Sequence, residues 1–189
     1  TEHVYTIGFG INPIYTTEKL NIMFSSMINP TQLFDYDINT LKYDKVHEQI
    51  VPNYNSKLYT SKRLWISQEG TRLGIPVSIV YRTQMLKSDK SNPLYLYGYG
   101  SYGMTINPSF DTKILPMLDR GYVYAIAHVR GGSFLGYDWY EDGRMDKKIN
   151  TFKDFIRCAE YFRNSEMINP NKIVIEGRSA GGLLIGACV

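Results

Sequence analysis

Apolar positions follow two different rhythms along this chain. Up to about residue 60 they come in short runs, "HVYTIGFG", "KLNIMFSSM" and "QLFDYDI", separated by the turn pairs Asn12-Pro13, Asn29-Pro30 and Asn39-Thr40. Short strands at this spacing predict an antiparallel sheet, as in a sandwich or one blade of a propeller. No period of about 40 to 50 residues repeats, so at most one blade is expected here. From about residue 61 strands and helices alternate. "RLWISQ" and "PVSIVYR" read as strands paired antiparallel around Glu69-Gly70, and "PLYLYGYG" as a short apolar strand ending in glycines. "TKILPMLDRG" reads as helix despite Pro116, with Gly121 suited to its C-terminal cap. "YVYAIAHV" is a continuous apolar run, as in a strand covered on both faces.

The clearest helix is predicted over Asn150 to Asn164. Phe152, Phe155, Ile156, Ala159 and Phe162 recur at helical spacing and form one apolar stripe. Thr151 is the expected N-cap, with Asp154 in the first turn, where a carboxylate suits the helix dipole. After the Asn169-Pro170 turn, "KIVIEG" is a short β-branched strand. The order strand, helix, strand, helix, strand predicts a doubly wound α/β sheet.

The chain has 189 residues, 43% hydrophobic and 14% aromatic, enough to form a core. Its net charge of +3 is spread out, so no nucleic-acid or membrane partner is implied. Arg130, Arg144 and the Lys147-Lys148 pair are expected on a solvated face. Cys158 and Cys188 form no C-x-x-C, and no Cys/His cluster has metal-ligand spacing, so neither a metal nor a cofactor is implied. Free thiols, the lack of a signal-peptide pattern and the lack of a long apolar run make the cytoplasm the expected location.

Two glycine motifs compete for the chemistry. Gly98 to Gly103 matches G-x-G-x-x-G literally, but a dinucleotide site needs a helix opening on that loop. Asn107-Pro108 reads as turn instead, and Asp119 precedes the next strand rather than ending it. A tight turn shaping a pocket is the better reading. Gly177-Arg178-Ser179-Ala180-Gly181 has G-x-S-x-G spacing, which alone is weak. Its context is specific, since "KIVIE" supplies a strand and "GLLIGACV" a helix start. That strand-turn-helix is a nucleophile elbow, lifting the Ser179 hydroxyl and aiming the Ala180 N–H at an oxyanion. The alternative is a passive serine in a glycine-rich turn. His3, His47 and His128 all precede Ser179, whereas α/β-hydrolase order runs Ser, then Asp or Glu, then His. His128 is therefore expected to be structural, and Glu141-Asp142 to be loop or ion-pair residues.

The stretches "YLYGYGSYG", "LDRGYVYAIAHVRGG", "WYEDGR", "KKINTFKDFIRCAEYF" and "GRSAGGLLIGA" resemble the prolyl oligopeptidase family of serine peptidases, most of all its oligopeptidase B branch. "NIMFSSMINPTQLFDYDI" resembles the last blade of that family's propeller, and "LYTSKRLWISQEGTRLGIPVSIVYR" its entry into the hydrolase domain. The resemblance implies residues 1–60 as the end of a β-propeller and 61–189 as the N-terminal part of an α/β-hydrolase domain. It implies a serine peptidase cleaving short peptides after Arg or Lys. Ser179 matches the nucleophile, and Tyr99 matches the tyrosine whose hydroxyl joins the Ala180 N–H in the oxyanion hole.

Three departures stand out. Asn107 and Ser109 occupy places where the branch often carries substrate-binding aspartates, so a preference for a second basic residue is in doubt. Phe134 replaces the usual carboxylate after Arg130-Gly131-Gly132-Ser133. The family's Asp, His and acidic residues for a basic side chain are expected beyond Val189, in the remainder of a parent chain. By itself the 189-residue chain is expected to be inactive. A related esterase or acylaminoacyl peptidase, or an inactive truncated product, remains the alternative.

Overall fold

The computed structural model describes residues 4–189. His3, the first residue of the opening apolar run, lies outside them. The first sheet is an antiparallel meander of β1 (Tyr5–Phe9), β2 (Lys19–Ser26), β3 (Gln32–Asp37) and β4 (Tyr43–Glu48), in that spatial order. Asp37 builds the β3–β4 turn by accepting from the backbone N–H groups of Asn39 (3.0 Å) and Thr40 (2.8 Å). On one face Ile7, Ile22, Phe24, Phe34, Tyr36 and Tyr43 line an open apolar groove of about 500 Å³. β4 is a strand that the pattern of apolar positions does not announce. All six of its residues are exposed, so no buried stripe alternates with polar positions.

The second sheet has the order β5-β6-β8-β7-β9. β5 (Tyr59–Ile66) and β6 (Ile75–Arg82) form the expected antiparallel hairpin, and β6 pairs antiparallel with β8 (Val123–Ala127). β8 then pairs parallel with β7 (Leu94–Gly98), and β7 parallel with β9 (Ile173–Glu176). β8 is central, which explains its continuous apolar run. Before it, α1 (Leu115–Leu118) carries Pro116 at its start, where a missing N–H costs nothing. Gly121, at φ +86°, lets Tyr122 N–H reach back to the Met117 carbonyl (3.1 Å) and close the helix end.

Between β8 and β9 lie α2 (Tyr137–Glu141) and α3 (Ile149–Arg163). α3 buries Phe155, Cys158 and Phe162 against Val77, Ile79, Leu94, Leu96 and Ala125. Ile156, placed in the apolar stripe from sequence, is 39% exposed, because the buried face is rotated toward Thr151, Asp154 and Cys158. On the opposite side of the sheet Tyr59, Val80, Ile126, Ile114 and Leu118 pack with Val4 and Met27 from beside the first sheet. Phe110 N–H donates to Ser25 Oγ (3.0 Å), adding a polar contact at the same junction. No helix among the described residues is long and apolar enough to cross a membrane.

Candidate active site

β9 runs into Gly177, Arg178 and Ser179, and α4 (Ala180–Cys188) starts immediately afterwards. Ser179 has φ 54° and ψ −121°, a conformation that a residue with a Cβ rarely adopts. The neighbouring glycines explain how the turn closes. A Cβ on Gly177 would lie 2.1 Å from the Gly181 carbonyl oxygen, and one on Gly181 would lie 2.8 Å from the Gly98 carbonyl oxygen. The turn is fixed by Gly181 N–H to the Arg178 carbonyl and Gly182 N–H to the Ser179 carbonyl, both 2.8 Å. Ala180 is the first helical residue, so its N–H has no intrahelical acceptor.

The parallel pairing of β7 with β9 brings the second glycine motif to the same place. Tyr97 is level with Glu176, so Tyr99 and Ser179 leave neighbouring strand ends. The Tyr99 Cα lies 3.4 Å from the point where a Gly181 Cβ would stand. Ser179, Ala180 and Tyr99 thus occupy one corner of the sheet. No helix opens on the 99–103 loop, consistent with a tight turn there. Beside the elbow lies a cleft of about 360 Å³, bounded by Ala180 and Leu183 and faced by Tyr102, Tyr140, Arg144 and Lys148. Asn107 and Ser109 are exposed on the loop after β7, and among the described residues neither side chain hydrogen-bonds to the elbow.

A buried polar frame supports this corner, and here the structure corrects the sequence reading. Arg130 is buried rather than solvated, with only 4% exposure. Its Nε (2.9 Å) and Nη2 (2.6 Å) donate to the two carboxylate oxygens of fully buried Asp154, and its backbone N–H adds a third bond (3.0 Å). Asp154 therefore neutralises a buried cation rather than serving the helix dipole. Thr151 is not the N-cap; Lys148 holds that position without a side-chain cap bond. The Thr151 hydroxyl sits inside the helix and reaches the carbonyls of Arg130 (2.7 Å) and Gly143 (3.0 Å). Lys148 is also not a solvated residue, since its ammonium donates to the Gly100 carbonyl and to Ser101 Oγ. Arg144 and Lys147 do face solvent, paired with Glu141 and Asp142. One sequence signal for this frame exists: Lys148, Thr151 and Asp154 are spaced by three residues along one helix, which groups them on one side.

His128 is structural, as expected. Its Nε2 lies 2.6 Å from Ser78 Oγ, and its ring stacks on Phe134 at 3.9 Å. The Arg63 guanidinium also lies over the Phe134 ring, 4.5 Å from its centroid, so Phe134 contacts both a cation and an imidazole. Burial, and secondarily the Arg63 charge, hold the His128 pKa well below its usual value. Burial also pushes Arg63 down to about 10. His47 lies on β4 in the first sheet, so among the described residues no histidine serves Ser179 as a base.

Comparison with known proteins agrees with this geometry. The family model described as "Prolyl oligopeptidase family" matches residues 108–189. Dipeptidyl aminopeptidase BI from Pseudoxanthomonas mexicana is 37% identical over 98% of this chain and 26% of its own length. Protease 2 from Moraxella lacunata is also 37% identical, over 98% of this chain and 27% of its own. Among solved structures, oligopeptidase B from Trypanosoma brucei with covalently bound antipain is 41% identical, with a TM-score of 0.92 over 99% of this chain and 27% of that one. Oligopeptidase B from Leishmania major is 36% identical, with a TM-score of 0.91 over 100% of this chain and 26% of that one. The chain thus spans about a quarter of the length of these relatives. Its fold is an α/β-hydrolase sheet, in its N-terminal part, preceded by the last strands of a β-propeller. The elbow, the parallel β7–β9 pair and these likenesses converge: the chain belongs to the prolyl oligopeptidase family.

Proposed function

We propose that Ser179 is the nucleophile of a serine oligopeptidase that works through an acyl-enzyme. The observation that carries this reading is the left-handed backbone of Ser179 at a strand-to-helix turn closed by Gly177 and Gly181. Such a turn raises the hydroxyl above the sheet and leaves the Ala180 N–H at the helix N-terminus facing the same space. Attack on a peptide carbonyl develops an oxyanion, and Ala180 N–H with the Tyr99 hydroxyl supplies two donors for it. The Ser179 proton must pass to a base, and an Asp–His pair from further along the parent chain fills that role. The 189-residue chain alone is accordingly expected to turn over no substrate.

Short peptides cut after Arg or Lys are the proposed substrates, by likeness to the oligopeptidase B structures. Asn107 and Ser109 carry no charge and sit exposed on the loop after β7, so a second basic residue in the substrate gains no ion pair from them. Residues 1–60 are proposed as the propeller end and 61–189 as the catalytic part, with the rest of both domains as their partners in the parent chain. Cys158 and Cys188 are free thiols, which supports a cytoplasmic location.

The test is hydrolysis by the complete gene product of matched amides and esters carrying Arg, Lys, Pro or Ala at the cleaved position. A kcat/KM at least about 100-fold higher for Arg and Lys, roughly 3 kcal/mol in transition-state binding, supports the reading. Preference for simple acyl esters over every peptide would replace it with an esterase.

A further inference from the structure

The loop that carries Tyr99 is held in an unfavourable shape. Gly100 (φ +66°), Tyr102 (φ +56°) and Gly103 (φ +62°) place three of four consecutive residues in the left-handed region, and Tyr102 pays a steric cost there. Such a segment relaxes unless it is tethered. Its far end is fixed by Gly103 N–H to the Gly131 carbonyl (3.0 Å). At its middle the methyl of Thr151 occupies the space beside Gly100, 2.4 Å from where a Cβ would stand. Met104 N–H closes the turn on the Ser101 carbonyl (3.0 Å), and the Ser133 hydroxyl donates to the Gly103 carbonyl. At the end nearer Tyr99 the Lys148 ammonium bonds the Gly100 carbonyl and Ser101 Oγ (2.9 Å for the latter). These are the two residues directly after Tyr99.

We propose that Lys148 is a positioning residue that fixes the Gly100-Ser101 backbone so that the Tyr99 hydroxyl points at the oxyanion. The inference rests on the reading of Tyr99 and Ser179 given above. Three features argue for this role over an ordinary surface lysine. Lys148 is half-buried, and an ammonium withdrawn from water stays only where acceptors replace its hydration. Both acceptors belong to the Tyr99 loop, 47 and 48 residues away in sequence, so the contact joins two elements rather than decorating one. It also faces the cleft beside Ala180, while Thr151 and Asp154 of the same helix secure the 130–131 and 143 loops behind it. Burial lowers the Lys148 pKa, the sign expected for an ammonium drawn partly out of water.

The test is a double-mutant cycle in the complete gene product, combining Lys148→Met with Tyr99→Phe and measuring kcat and KM separately. A donor misplaced by about 1 Å costs on the order of 100-fold, so Lys148→Met is expected to lower kcat about 10- to 100-fold while KM moves less than about threefold. In the Tyr99→Phe background the same substitution should cost no more than about twofold, because the group it positions is gone. Ser101→Ala removes one acceptor with little change in shape. Its expected loss is about two- to fivefold in kcat, again absent with Tyr99→Phe, and it carries the test if Lys148→Met does not fold. Equal losses from Lys148→Met in both backgrounds, or a change confined to KM, would overturn the inference alone. An unchanged kcat in Tyr99→Phe would overturn the underlying reading and the inference with it.

Discussion

Gly177 and Gly181 meet backbone to backbone across Ser179, leaving 2.1 Å between the Gly181 carbonyl oxygen and the place a Gly177 Cβ would take. No real Cβ tolerates that distance, and the obstacle is main chain rather than a side chain that can swing away. Gly177→Ala must therefore open the turn. Expected is a loss of Ser179 reactivity of at least about 100-fold and a stability cost of about 1–3 kcal/mol, as for other overpacked sites. Gly186→Ala on the same helix is the control. Open space surrounds that position, so it should gain about 0.5–1 kcal/mol from helix propensity and keep full activity. Comparing labelling rates and thermal midpoints of the two variants checks both statements.

The Arg130–Asp154 pair makes a second prediction. Asp154→Ala leaves a guanidinium buried without its counter-charge and should cost about 3–5 kcal/mol. Arg130→Met combined with Asp154→Leu should cost less than Asp154→Ala, since no charge is then stranded. Denaturation midpoints of the single and double variants decide this. A double variant less stable than Asp154→Ala would contradict it.

These two features were legible in the sequence to different degrees, for physical reasons. The elbow's steric demands are local: two glycines within five residues, a β-branched strand before and a helix after. The hairpin of β5 and β6, the central β8 and α3 are equally visible, because burial imposes either an apolar stripe at helical spacing, as in α3, or a short continuous apolar run, as in β6 and β8. β4 is not, since a fully exposed strand imposes neither. Thr151 and Asp154 looked like capping residues because polar side chains near a helix start usually are. Their partners, Arg130 and the carbonyls of Arg130 and Gly143, come from other loops that only the fold brings near. Arg130 reads as a solvated residue for the same reason, since its counter-charge lies 24 residues away.

His128 makes a prediction about acid. One ring nitrogen meets Ser78 Oγ, while among the described residues Nδ1 has no hydrogen-bond partner, so a second ring proton would be stranded. With its pKa held well below the usual 6.5, the unfolded chain binds more protons than the folded one as pH falls below that value. Stability should therefore be fully present above pH of about 6.5 and decline below it, by up to about 1.4 kcal/mol per pH unit from this group. His128→Asn should flatten that slope while lowering stability overall. Thermal midpoints of both proteins between about pH 7.5 and pH 5 provide the check. Parallel curves would remove His128 as the cause.

Tyr99→Phe removes only a hydroxyl. If that hydroxyl is an oxyanion donor, kcat should fall about 100- to 1,000-fold, roughly 3–4 kcal/mol, with KM far less affected. Steady-state kinetics on an Arg-amide substrate measures both. A loss carried by KM alone would make Tyr99 a binding residue.

The central claim is that Ser179 is the nucleophile, and covalent labelling tests it most directly. The complete gene product would be treated with a fluorophosphonate probe, digested, and the modified peptide sequenced by mass spectrometry. The adduct is predicted on Ser179 within "IEGRSAGG", stoichiometric with loss of peptidase activity and absent from Ser179→Ala. Labelling that persists in Ser179→Ala, or inactivation with the adduct on another residue, would show that the elbow presents a passive serine.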